Sequence, residues 1–132
     1  MSLNLNKLKP TEEETSGVWL QYVPGVRLKI ASMSTHKYRS TLTSLVNKTS
    51  STFNIQDKSE EVMLPYTIKA IAECILVGWE GLIDDDGKEV PYSVKQAEEY
   101  LTDVLKFYMD VTEMATNLRD HEDRVTKETT GN

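Results

Sequence analysis

The amino-acid sequence predicts a mainly α-helical fold: a compact bundle of three to four helices with a short N-terminal β-hairpin. Two observations carry this. Between Val18 and Ile30 apolar residues alternate with polar ones, and beyond residue 33 they recur at steps of three and four. A period of two places alternate side chains on one face of a strand, whereas a period near 3.6 gathers them into a stripe on a helix. The change of period therefore divides hairpin from helices. With 132 residues, 39% of them hydrophobic and 27% charged, the chain has the size and composition of one ordinary globular domain.

Residues 1–16 are polar, contain Pro10 and the run Glu12-Glu13-Glu14, and show no period, so they are expected to form a disordered, mobile arm. A single helical domain is expected over 17–120. It begins with the hairpin, in which Val18, Leu20 and Tyr22, and after Pro24-Gly25 also Val26, Leu28 and Ile30, face one way against Arg27 and Lys29. Pro-Gly favours a type II turn, whose twist suits a two-residue hairpin poorly; a wider loop or a bulge is expected there.

Ser34 is a candidate N-cap for a first helix carrying Tyr38, Leu42, Leu45 and Val46 and ending near Lys48. The serine- and threonine-rich stretch that follows reads as a loop, with Phe53 and Ile55 turned to the core. A second, central helix carries Leu64, Ile68, Ile71, Ala72, Ile75 and Leu76, with Gly78 closing it and Trp79 at its end. Pro65 fits its first turn, or kinks it if the helix starts near Ser59. Ser93-Val94-Lys95-Gln96 matches a capping box, and the stripe Ala97, Leu101, Val104, Tyr108, Val111, Ala115, Leu118 predicts a long helix from Val94, with Thr102-Asp103 a possible restart. From Arg119 the stripe is lost and charge rises. Residues 121–132 are expected as a disordered tail.

Between the second helix and the capping box lies Asp84-Asp85-Asp86-Gly87. An EF-hand loop with Gly87 at its sixth position would have Asp84 and Asp86 in place, but Leu82 would be its first residue and Ser93 its twelfth, where a bidentate glutamate belongs. Asp86-Gly87 is instead a tight-turn dipeptide, and no metal site is assigned.

The remaining chemistry is sparse. A net charge of −6 without a basic stripe argues against nucleic acid as a partner. The N-terminus has no continuous apolar segment, and the run from Cys74 to Val77 is far too short to cross a bilayer, so neither membrane nor secretion is expected. Cys74, the single cysteine, falls in an apolar helical pattern and reads as core. His36 and His121 lie in polar surroundings, with nothing to bring either beside a nucleophile. Glu60-Glu61, Glu98-Glu99 and Asp120-Glu122-Asp123 read as solvated helix faces. No phosphate loop and no Cys/His ligand spacing occurs. The expectation is a protein that is not an enzyme and takes no cofactor.

What stands out is aromatic and glycine residues flanking loops. Trp79 is either a lid on the core or an interaction anchor. Leu76 and Trp79, at one edge of the central stripe, together with Gly81, Trp19 and Tyr92, are the candidate partner-binding residues.

Three stretches carry a family likeness: GVWLQYVPGVRLKIASMSTHKYRSTL at 17–42, AECILVGWEGLIDDDGKEVPYS at 72–93, and the amphipathic segment from Val94 to Leu118. In this order, over roughly 17–120, they resemble the small tail assembly chaperones of long-tailed bacteriophages and prophages, the second stretch being the most specific. The resemblance implies a non-enzymatic protein of the host bacterial cytoplasm that binds the tape measure protein, keeps its long apolar helices in solution and helps tail tube subunits polymerise around it. It supplies no catalytic residues and leaves room for a homo-oligomer. A structural head–tail or tail-terminator protein retained in the virion would have the same composition.

Overall fold

The computed structural model describes residues 2–50 and 60–122. A 3₁₀ turn, Leu5–Leu8, and a short helix α1, Glu12–Ser16, precede the strands β1, Val18–Val23, and β2, Val26–Ile30. Helices α2, His36–Ser50, and α3, Glu60–Cys74, lead into a third strand, β3, Leu76–Glu80. After the acidic turn come α4, Val94–Asp103, and α5, Leu105–Thr116, with a further helical turn over 118–122.

The helix-rich architecture is as expected, but the sheet is larger than a hairpin. It has three antiparallel strands in the order β1-β2-β3. The expected end of the central helix is corrected: α3 stops at Cys74, and Leu76 to Glu80 pair with β2, Leu28 opposite Trp79 and Lys29 opposite Gly78. The local chemistry favours this, because Val77 and Trp79 suit a pleated strand and Gly78 weakens a helix. The decisive gain is tertiary. A two-stranded hairpin is marginal alone, and β3 supplies partners to the second edge of β2.

At the hairpin turn Gly25 takes φ +85°, the value a type II turn asks of its third residue. The register shifts between Gln21 and Val23, leaving Tyr22 as the extra residue of a bulge that accommodates the mismatched twist. This is the bulge foreseen as one of the two outcomes.

The core is built around α3, which touches α2, α4 and β3. Ile68, Ile71, Ala72, Cys74 and Ile75 pack with Leu20, Leu28, Ile30, Leu76 and Trp79 from the sheet, and with Ala97, Leu101, Val111 and Leu118 from the last helices. Pro65 lies inside α3.

The helix from Val94 does restart, one residue beyond the Thr102-Asp103 allowed for it: Ser93 caps α4 through the Gln96 amide at 3.0 Å, Val104 adopts φ −119°, ψ 94°, and α5 begins after it. Its axis is thereby re-aimed, so that Phe107 and Met114, outside the expected stripe, are buried, while Val104 is 44% exposed.

Residues 1–16 hold the second correction, since they contain ordered structure rather than a mobile arm throughout. Thr11 and Glu14 form a reciprocal capping box, Glu14 N to Thr11 Oγ1 at 3.1 Å and Thr11 N to Glu14 Oε1 at 2.9 Å. Glu14 is only 4% exposed. The Arg119 guanidinium donates to its carboxylate at 3.2 Å, and also to the carbonyls of Lys7 at 2.6 Å and Lys9 at 2.7 Å. Burial alone would raise the Glu14 carboxyl; the hydrogen bonds from Arg119 and the Thr11 amide outweigh it and hold it below its ordinary value. The expected disordered tail begins inside the helical turn, and 123–132 lie outside the described residues.

Candidate functional site

The bulge in β1 swings Tyr22 towards α5. Its hydroxyl donates to Asp110 Oδ2 at 2.5 Å, and its ring meets Phe107 edge-on with centroids 5.8 Å apart. Burial first, and then the Asp110 carboxylate, push the Tyr22 phenol up to about 12. Asp110 is held below its ordinary value by the Tyr22 hydroxyl, with Lys106 adding at 3.0 Å.

Beyond β3 the chain must pass close to the hairpin turn. Gly81 does this at φ +91°, and a Cβ there would come within 2.2 Å of the Gly25 carbonyl oxygen, so no other residue fits without backbone movement. The passage delivers Leu82 and Ile83 beside Tyr22. Asp84 then folds the acidic stretch upon itself: its Oδ1 accepts the amides of Asp86 and Lys88, both at 2.9 Å, and its own amide donates to the Lys88 carbonyl at 2.8 Å. Among the described residues no group of three or more His, Cys, Asp or Glu side chains could hold a metal ion.

Tyr22, Leu82, Ile83, Tyr100, Val104 and Phe107 together line an apolar groove of about 280 Å³ at the break between α4 and α5. Its walls are unusually open for such residues: Ile83 is 63% and Val104 44% exposed. Behind them runs a ladder of aromatic rings, Phe107 to Tyr100 at 6.4 Å, Tyr100 to Trp79 at 5.7 Å and Trp79 to Tyr92 at 4.9 Å. The ladder makes the floor stiff, since each ring holds the next in an edge or tilted contact. Beside it, Asp110 accepts the Tyr22 hydroxyl and pairs with Lys106 at 3.0 Å.

The candidate residues read from the sequence do not form one surface. Leu76 is fully buried and Trp79 is 6% exposed, so neither stands at an edge open to a partner. The indole N–H donates to the Val90 carbonyl at 2.8 Å, which fits Trp79 as a lid on the core. Tyr92, half-buried against it, donates its hydroxyl to the Leu76 carbonyl at 2.8 Å and ties the end of α3 to β3. Gly81 shapes the path of the chain into the groove. Trp19 lies on the other face of the sheet, with the Arg27 guanidinium 5.0 Å from its ring centroid and the Lys29 ammonium 6.0 Å away.

None of the groove residues is among the candidate partner-binding residues read from the sequence. One signal was present: an isoleucine immediately before three aspartates, where turn chemistry asks for nothing apolar.

Residues 33–132 match the model of a family described as YdaY prophage protein. No curated protein and no solved structure matches the chain.

Proposed function

The chain belongs to the YdaY prophage protein family, and from that premise we propose that it is a non-enzymatic tail assembly chaperone. In this reading it acts in the host bacterial cytoplasm, binding the tape measure protein and assisting polymerisation of tail tube subunits around it. The observation that carries the reading is the groove with Ile83 and Val104 exposed on its walls. A rigid apolar slot of this kind suits one face of an amphipathic helix, whose anchors at i, i+3, i+4 and i+7 supply the affinity. The resemblance of 17–42, 72–93 and the last helices to tail assembly chaperones supports the same role.

Tagged protein co-expressed with the other genes of its prophage tests this. It should retain a long helical protein, and Ile83→Asp should abolish the retention while leaving the melting temperature within a few degrees, because Ile83 is already exposed. Recovery of the same partner by the variant would overturn the groove as the binding site. The alternative, a head–tail or tail-terminator component, is separated by mass spectrometry of purified particles: a chaperone is absent from them, a structural part present at fixed copy number.

A further inference from the structure

A surface helix ordinarily sets its polar residues opposite the core, and α5 does not. It buries Phe107, Val111, Met114 and Ala115. At about 100° per residue, the side opposite these carries Leu105 and Met109, 67% and 57% exposed, followed by Thr112 and Thr116. The threonines add little polarity there, because both hydroxyls turn back on the helix: Thr112 donates to the Met109 carbonyl at 2.9 Å and Thr116 to the Thr112 carbonyl at 2.7 Å. The three charged residues of α5, Lys106, Asp110 and Glu113, all fall within about 60° of one another on one flank. The helix thus has two apolar faces, and the fold buries one of them.

Leu105, Met109, Thr112 and Thr116 succeed one another at steps of four, three and four, the spacing of a seam between paired helices. We propose that this seam pairs α5 with the α5 of a second copy of the chain, antiparallel about a two-fold axis. Leu105 then lies beside the partner's Thr116 and Met109 beside the partner's Thr112, so each long side chain meets a short one. Charge selects both the occupant and the direction. Lys106 and Glu113 stand on the same edge of the seam, and the antiparallel two-fold sets each Lys106 near the partner's Glu113, two opposite-charge pairs from one surface. A parallel pair would set that edge against Tyr108 and form neither. Both side chains extend into solvent from their own pairings with Asp110 and His121: Lys106 is 82% and Glu113 52% exposed. The contact is self-complementary and closes at two copies. Its seam, about 18 Å long, is shorter than a standard interface requires, so the dimer is reversible. The inference does not depend on what the groove binds. Because the groove lies at the N-terminal end of α5, an antiparallel dimer carries one at each end of the seam.

Sedimentation velocity of the full chain from micromolar to millimolar concentration tests the proposal. Monomer and dimer should exchange on dilution, with nothing larger. Leu105→Gln/Met109→Gln replaces two exposed residues by good helix formers; it should raise the dimer dissociation constant at least about tenfold and leave the melting temperature of the monomer within a few degrees of wild type. Lys106→Glu and Glu113→Lys should each weaken the dimer, and the double exchange Lys106→Glu/Glu113→Lys should restore it, because the swapped charges meet again across the two-fold. A wild-type chain that is monomeric throughout overturns the inference, as does a Leu105→Gln/Met109→Gln chain that dimerises as tightly as wild type, or a double exchange that restores nothing. A monomeric chain that loses a helical client through Leu105→Gln/Met109→Gln also overturns it and gives the seam to the client. Dimers that behave as expected from a chain that retains no client support this inference and count against the chaperone reading alone.

Discussion

Trp79→Ala separates a core lid from a binding anchor, and the structure sets the magnitude expected. Trp79 is 94% removed from solvent, touches Tyr92 and Tyr100, and donates its indole N–H to the Val90 carbonyl. Truncating a buried tryptophan costs ~3–5 kcal/mol through lost burial and the cavity left behind. The orphaned Val90 carbonyl works in the same direction. For a domain of this size such a loss lowers the melting temperature by roughly 10–25 °C, and it is a large share of a total stability of ~5–15 kcal/mol. Circular dichroism melts of wild type and variant, with urea titration for the free energy, measure it directly. Trp79→Phe should lie between them, keeping most of the volume but not the hydrogen bond. A Trp79→Ala protein that melts within a few degrees of wild type would refute the argument, because a ring packed in this way cannot be removed without cost.

Gly81→Ala should destabilise the fold by at least about 2 kcal/mol, read as a lower urea midpoint, since it adds left-handed backbone strain to a collision with the Gly25 carbonyl. The arm should detach in acid. The Glu14 carboxyl is held below its ordinary 4.5 in the fold, so its stabilisation is present above that value and is lost as the pH falls through the lower, folded one. Hydrogen exchange at the Ser32 amide, which donates to the Glu14 carbonyl at 2.7 Å, should speed up there beyond its intrinsic pH dependence; Glu14→Gln should abolish the pH dependence of that protection, and protection unchanged down to pH 3 would count against the clasp. Calorimetry with calcium should show no saturable heat at micromolar concentration, because Asp84 already spends its carboxylate on the amides of its own turn.

Where local chemistry is self-sufficient, the sequence was a reliable guide. The Ser93 cap, the Asp-Gly turn and the bulge at the Pro-Gly hairpin are each formed by residues within a few positions of one another, and each is in place. The Thr11-Glu14 capping box was equally local, T-x-x-E in plain view, but the charge of the surrounding glutamates read as disorder. Burial of Glu14 depends on Arg119, more than a hundred positions away, and no local pattern announces that partner.

The apolar stripe of the central helix shows the other limit. Ile75 and Leu76 continue it at helical spacing and are buried as it requires, yet the chain leaves the helix at Ile75 and buries them as a turn and a strand. Burial is common to both conformations; what distinguishes them is the unpaired edge of β2, which exists only once the hairpin has docked. The groove has the same origin. Its six residues come from one strand end, a loop, two helices and the break between them, and Ile83 and Val104 line one groove because Gly81 lets the chain pass close to Gly25 and α5 turns away from α4.

Thus the sequence by itself determined the helix-rich composition, the position of the hairpin, the Ser93 cap and the Asp-Gly turn, because those depend on contacts within one or two turns of chain; the first long helix is capped by Thr35, one residue beyond the Ser34 expected. Only the tertiary structure decided that Trp79 faces inward, that the arm is clasped by Arg119, and that an apolar groove opens at the α4–α5 break. Each of those is a contact between residues far apart in sequence, whose free energy appears only when the elements carrying them are packed.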